Sequence, residues 1–479
     1  MCGSSTGTAA RIRTTTSWSR GPDRVDLVKR TGWVLASLIL AVALPVGCGG
    51  DSPVVESVVL ITVDTWRADC FGAGGHPDVR TPRIDRFFRG GMQFCRAYSP
   101  SPTTLASHTS MLTGLWPTTH GVPRNGWYVP EDVETLAEIL RESGFSTGAF
   151  VSSAALDRSL NLGQGFDPYD SRTVRDVPLD QGWRPAAETL PPAREWWAKR
   201  EGRAFLWVHL FEPHFPYEPN SVDLALRATG YSGPANGSME FLRAAWDDPS
   251  LLDGGGTRHV ASLYLAEIDG LDREIGGFLR ELELEESVMV VLTSDHGESL
   301  GERGLPFRHG PSVFDQDVRV PLLVRGSPNF GAGLADAMVR TIDVPAAILG
   351  ELQVEWSRPE EAGNLADWTR GGSGLPVFGV ASMPWDAERE GEYANLRKPR
   401  VARSPEAAVF VVPGARQRGW TDPRTDPGEL QYQALPPAGE PVRLFEELER
   451  WIADARVVPP EGPLDPEVED RLRSIGYVD

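Results

Sequence analysis

Two acids and a histidine stand where apolar runs stop. Val58 to Val63 is a short β-rich run that ends at Asp64, and Val288 to Leu292 is a second that leads to Asp295-His296-Gly297. Carboxylate plus imidazole suits one divalent cation, and the imidazole tilts the choice toward Mn or Zn over Ca or Mg. A single Asp after a strand is also a common turn residue; the Asp-His-Gly group is the more specific signal. A third feature is "SPTTLASHTSMLTG", residues 101–114, which crowds hydroxyls around His108. A helix beginning near Thr104 would turn its first N–H groups and positive dipole end toward an anion. A Thr104 hydroxyl coordinated to the cation would lose its proton readily and attack an ester. The ligand set would then be Asp64, Thr104, Asp295 and His296. The competing reading is a capping threonine with no chemistry.

The elements around these residues must bring them together. Helix and strand signals alternate through about Gly350, as in "ETLAEILRESGFSTGAFVSS" and "RAFLWVHLFEPHFPYEP". That alternation predicts an α/β fold with a doubly wound, mainly parallel sheet. Such sheets place their sites at the carboxyl ends of strands, where Asp64 and Asp295 stand. From about Ser357 the texture turns loop-like, and later come a strand, "AAVFVVPG", and an amphipathic helix, "PVRLFEELERWIADA". The expected division is an export segment and linker over 1–56, a catalytic domain over 57–372 and a smaller C-terminal α+β subdomain over 373–479.

Composition narrows the partners. The formal net charge of −20 argues against nucleic acid. Lys29 and Arg30 precede an apolar run from Trp33 to Val46 and then Gly-Cys48. This reads as an export signal, too short for a comfortable membrane span. Cys48 resembles the lipidated cysteine of bacterial lipoproteins, which places the protein in the cell envelope, held at the membrane by a lipid or signal anchor. In an oxidising compartment Cys70 and Cys95 could pair; two buried free thiols are the alternative.

The segments "LITVDTWRAD", "SPTTLASHTSMLTGLWPTTHGV", "FLWVHLFEPHFPYEP", "VVLTSDHGESLGERG" and "RVPLLVRG" occur in one order. In that order they resemble the sulfatase branch of the alkaline phosphatase superfamily. "TDPGEL" and "LDPEVEDRLRSIGYVD" are similar to tails of sulfatase-like proteins, so the resemblance runs from about Val58 to the end. Sulfatases carry a formylglycine made from Cys or Ser in a C/S-x-P-x-R signature, ten residues before Thr-Gly. Here that position is Thr104, with Ala106 for Pro and His108 for Arg. Formylglycine is therefore not expected. An unmodified threonine resembles the nucleotide pyrophosphatase/phosphodiesterases and the phosphoethanolamine or phosphoglycerol transferases. The resemblance implies that His214 contacts the substrate anion or leaving group and that His309 serves the leaving group. It puts His108 in the place of an anion-holding or metal-orienting residue, and His120 outside the chemistry. Thr65 stands where many sulfatases have a second acid, and His209, Glu212 and His214 have the wrong spacing for a second metal, so one metal is expected.

The expectation is a metal-dependent hydrolase that cleaves phosphate or sulfate esters, phosphodiesters foremost, on a small molecule, glycan or lipid headgroup. Its rivals are a true sulfatase, a headgroup transferase and a non-catalytic glycan- or lipid-binding relative.

Overall fold

A computed structural model describes residues 55–172, 182–227, 230–357, 359–369, 375–383, 398–413, 417–456 and 464–475. The export segment and Cys48 lie outside the described residues. Among those residues no helix is long and apolar enough to cross a membrane.

Strands are laid down by β-rich apolar runs. β1 (Ser57–Val63), β5 (Ala204–Leu210) and β6 (Val288–Ser294) are buried along their whole length, as strands covered on both faces must be. With β2 (Met92–Tyr98), β3 (Ser146–Phe150), β4 (Tyr169–Asp170), β7 (Arg319–Arg325) and β8 (Gly333–Arg340) they form one sheet, in the order β4-β3-β5-β1-β6-β7-β2-β8. Every pairing is parallel except the two made by β7, which is antiparallel to both β6 and β2. The expected doubly wound, mainly parallel sheet is therefore present, with one strand reversed inside it.

Each face of the sheet has its own core. Val58, Leu60 and Trp207 point to the face covered by the helix Thr104–Thr113, through Leu105, Met111 and Leu112. Val59, Ile61, Val63, Leu206 and Val208 point to the other, which the long helix Gly254–Leu282 covers with Leu271, Ile275 and Phe278. The alternation along β1 is the period of two that a strand imposes.

A second sheet, β12-β11-β10-β9, is antiparallel and comprises β9 (Val377–Val380), β10 (Arg400–Arg403), β11 (Ala408–Val412) and β12 (Gln417–Thr421). The helix Glu440–Ala453 packs Leu444 and Leu448 against Val409 and Val411. The other face of this sheet, with Val377, Val401 and Phe410, meets Tyr98 and Met338 of the main sheet, and the described residues form one compact unit. Cys70 is a buried free thiol, so the Cys70–Cys95 pair does not form.

Candidate active site at the ends of three adjacent strands

The register of the central strands builds the site. Val63 at the end of β1 is level with Leu210 of β5 and Ser294 of β6. Asp64 and Asp295 therefore leave the sheet side by side. His209 sits one residue back on β5, opposite Thr62. Thr65 follows Asp64 with a φ of 55°, a left-handed conformation that β-branched residues avoid. Its N–H donates to Asp295 Oδ1 at 3.2 Å, and its carbonyl accepts from the Tyr264 hydroxyl at 2.9 Å. Gly297 lets the chain at 316–317 pass closely. Its N–H donates to the Asp317 carbonyl at 2.8 Å, and a Cβ there would lie 2.0 Å from the Gln316 carbonyl oxygen.

The side chains converge with polar atoms left over. His296 donates from Nδ1 to the Gly297 carbonyl at 2.9 Å, so its Nε2 holds a bare lone pair. That Nε2 lies 3.4 Å from Asp295 Oδ2 and 3.8 Å from Asp64 Oδ1. Asp295 Oδ2, His296 Nε2 and both Asp64 oxygens are buried without a well-formed hydrogen bond. The Thr104 hydroxyl faces Asp64 closely enough to help hold its carboxyl down. Burial outweighs that help and pushes Asp64 up to about 7, while burial and the Asp64 charge raise Asp295. Two carboxylates in this position cannot both ionise comfortably unless a cation sits between them. Asp64, Asp295 and His296 form a group of metal-ligand spacing, and the leftover lone pairs fit a divalent ion.

A second group with such spacing is His108, His209 and Asp295, but the His108 imidazole is committed elsewhere. His209 accepts at Nδ1 from the Ser152 N–H at 3.3 Å, which leaves the proton on Nε2, 3.4 Å from Asp64 Oδ2. His108 spends both ring nitrogens, on Thr104 O at 2.7 Å and Thr62 Oγ1 at 2.9 Å. Burial lowers its pKa to about 3, so the imidazole is neutral.

The hydroxyls of residues 101–113 sort themselves by partner. Ser107 Oγ donates to the Thr104 carbonyl, Thr109 Oγ1 to Leu105 O and Thr113 Oγ1 to Thr109 O. Ser101 pairs with Thr103, and Ser110 with His120. All of these serve the local backbone or packing. Thr104, the first residue of its helix, alone among them faces the acids. Helix capping falls to Asn125, whose Oδ1 accepts the Leu105 N–H at 2.7 Å. Its Nδ2 is buried with no partner, and Asn125 lines a cleft with Thr103, Phe215, Trp246, Arg308 and His309.

His309 and His214 stand next to the centre, with His309 ring centroids 4.5 Å from His296 and 4.9 Å from His214. Glu298 Oε2 lies 3.3 Å from His309 Nδ1. Burial holds both histidines well below their ordinary range and Glu298 well above its own. His214 donates from Nδ1 to the Phe215 carbonyl, so in its neutral form Nε2 carries no proton. His120 accepts the Val122 N–H at Nδ1 and bonds Ser110, a structural role. Two residues of this site went unmarked in the sequence, Asn125 and Glu298, and His209 was weighed there only as a second-metal ligand and set aside.

This architecture has relatives. The sulfatase family model matches residues 56–354, and the chain belongs to the sulfatase family of the alkaline phosphatase superfamily. It is 26% identical over 343 residues to an ulvan-active sulfatase of Formosa agariphila, covering 63% of this chain and 62% of the relative. A multifunctional alkaline phosphatase superfamily protein of Trinickia caryophylli is 23% identical over 389 residues, covering 63% of this chain and 75% of that one. The phosphonate monoester hydrolase of Agrobacterium radiobacter superposes with a TM-score of 0.64 at 19% identity, over 83% of this chain and 95% of that one. A structure bound to its substrate D-glucosamine-2-N,6-O-disulfate gives 0.68 at 16% identity, over 86% and 100%. These last two show a shared fold.

Proposed function

We propose that the protein is an exported, metal-dependent ester hydrolase in which unmodified Thr104 is the nucleophile. The observation that carries this is the Thr104 hydroxyl at a helix N-terminus, facing Asp64 beside unsatisfied ligand atoms of Asp64, Asp295 and His296. A divalent cation held there would neutralise the two carboxylates and offset the negative charge of the ester and of the attacking oxygen.

The protein's own groups account for the remaining steps. Thr104 Oγ1 bonds to phosphorus or sulfur as its proton passes to Asp64, the carboxyl it faces. Asn125 Nδ2 offers an unpaired donor to an ester oxygen. The bond to the leaving alcohol breaks, and that oxygen takes the proton presented by His309 Nε2. Whether Glu298 or His309 holds the shared proton, Nε2 carries a hydrogen, because Glu298 faces Nδ1. Water then displaces Thr104: His309 Nε2, having given its proton to the leaving alcohol, takes one from the water, and Thr104 Oγ1 recovers its own from Asp64.

Charge narrows the substrate. The sulfatase arginine position holds the neutral His108, which favours a monoanionic centre over a dianionic phosphate monoester. Sulfate monoesters and phosphodiesters both qualify. We favour the phosphodiester, because water must release the product from threonine, and a threonine sulfate is hard to release. The basic-then-apolar run ending at Cys48 supports export and lipid anchoring.

The test is turnover of an aryl sulfate and an aryl phosphodiester side by side, with Mn or Zn added, by protein beginning near Ser57 and by its Thr104→Ala variant. The expected result is phosphodiester turnover that falls by at least about 10³-fold in the variant. Turnover that survives Thr104→Ala would remove the threonine from the chemistry, and dominant sulfate turnover would reverse the substrate preference.

A further inference from the structure

Four buried groups form one continuous chain of hydrogen bonds. Trp207 Nε1 donates to Thr62 Oγ1 at 3.0 Å; Thr62 Oγ1 meets His108 Nε2 at 2.9 Å; His108 Nδ1 meets the Thr104 carbonyl at 2.7 Å. Trp207, Thr62, His108 and Thr104 are all fully buried. The protons along this chain have only one arrangement for a neutral ring. A carbonyl only accepts, so His108 Nδ1 carries the hydrogen. Indole N–H only donates, so Thr62 accepts from Trp207 and passes its own hydrogen to the bare His108 Nε2.

The two ends of this chain matter. Thr62 lies two residues before Asp64 on β1, and Thr104 opens the helix that carries the attacking hydroxyl. The Thr104 carbonyl also accepts from Ser107 Oγ at 3.0 Å, so two side-chain donors pin this one peptide. His108 therefore links the strand that presents Asp64 to the turn that presents Thr104, with both nitrogens used in doing so.

We propose that His108 is a positioning residue that sets the Thr104 hydroxyl against Asp64 and does not itself hold the substrate anion. The proposal rests on Thr104 as nucleophile. It departs from the anion-holding role implied by its place in the signature, and the two roles separate in a binding experiment. Sulfate needs only an anion pocket. Orthovanadate in addition accepts an apical oxygen, so it reports whether the Thr104 hydroxyl is in place.

Calorimetry would measure both anions on zinc-loaded protein, for the parent, Thr62→Val, His108→Gln and Thr104→Ala, with melting temperatures to verify folding. Thr62→Val keeps the side-chain volume and removes the middle of the chain without touching the site. Vanadate should weaken at least tenfold in Thr62→Val and His108→Gln, sulfate should stay within twofold, and Thr62→Ser should restore vanadate binding. Sulfate weakened as much as vanadate in His108→Gln would overturn the proposal and return His108 to anion holding. Unchanged vanadate affinity in Thr62→Val and His108→Gln, beside a loss in Thr104→Ala, would overturn the positioning role alone. Unchanged affinity in Thr104→Ala would overturn the nucleophile assignment itself.

Discussion

A threonine hydroxyl is a poor nucleophile until something removes its proton and something else holds the charge that follows. At Thr104 both needs meet in one place, because its hydroxyl faces Asp64 and its helix begins at that residue. In the proposed mechanism the pair of Glu298 and His309 serves the leaving group. Replacing Glu298 by Gln should slow turnover by roughly 10²-fold for a phenyl leaving group and far less for a nitrophenyl one, which departs without a proton. Rates lowered equally for both would show that Glu298 only supports the fold. The acids and His296 were legible in the sequence because they break apolar runs. The place of His209 was not: its spacing from Glu212 and His214 ruled out a second metal, and only the strand register sets it beside Asp64. Asn125 was hidden by distance: it lies in irregular chain and meets the Thr104 helix only in the folded protein.

At the scale of elements, the site depends on three neighbouring strands ending level. β1 lies between β5 and β6 and pairs with both over most of its length, so loosening it moves two partners. Leu60→Ala, at a fully buried position of β1, should destabilise the protein by about 2–5 kcal/mol, read as a shift in denaturant midpoint. A loss under 1 kcal/mol would mean that β1 is not the stiff centre described above. Gly297→Ala should be worse tolerated than its size predicts, because the added methyl meets the Gln316 carbonyl oxygen. The strands bearing Asp64 and Asp295 were legible as apolar runs, whereas the helix beginning at Thr104 was a supposition there, because a stretch so rich in Ser and Thr has no clear helical signature. The reversal of β7 was not: "RVPLLVRG" marks a buried strand, but apolar runs carry no direction.

At the scale of the whole molecule, the fold buries a cluster of negative charge inside a chain of net charge −20, so proton and cation compete for it. Asp64 is raised from 3.8 to about 7. Without metal, its contribution to stability is full below about pH 4 and is lost as the pH rises through 7. A bound cation favours the ionised form and removes that loss. The rise in melting temperature on adding zinc or manganese should therefore be larger at pH 7.5 than at pH 5.5. An equal rise at both, or a larger one at pH 5.5, would place the cation elsewhere. After Ser357 the sequence foretold a change of texture with one strand and one helix, but not the antiparallel sheet that the strand joins. Its close packing on Tyr98 and Met338 was not legible, because tertiary contact of two apolar faces leaves no local pattern.

The most direct test of the account is to trap the enzyme at work. Protein turning over an aryl phosphodiester would be quenched in acid, digested and analysed by mass spectrometry. The account predicts a phosphoryl ester on Thr104, within the peptide that contains residues 101–114, and its absence from Thr104→Ala. An adduct on another residue, or rapid turnover with no adduct on Thr104, would contradict it.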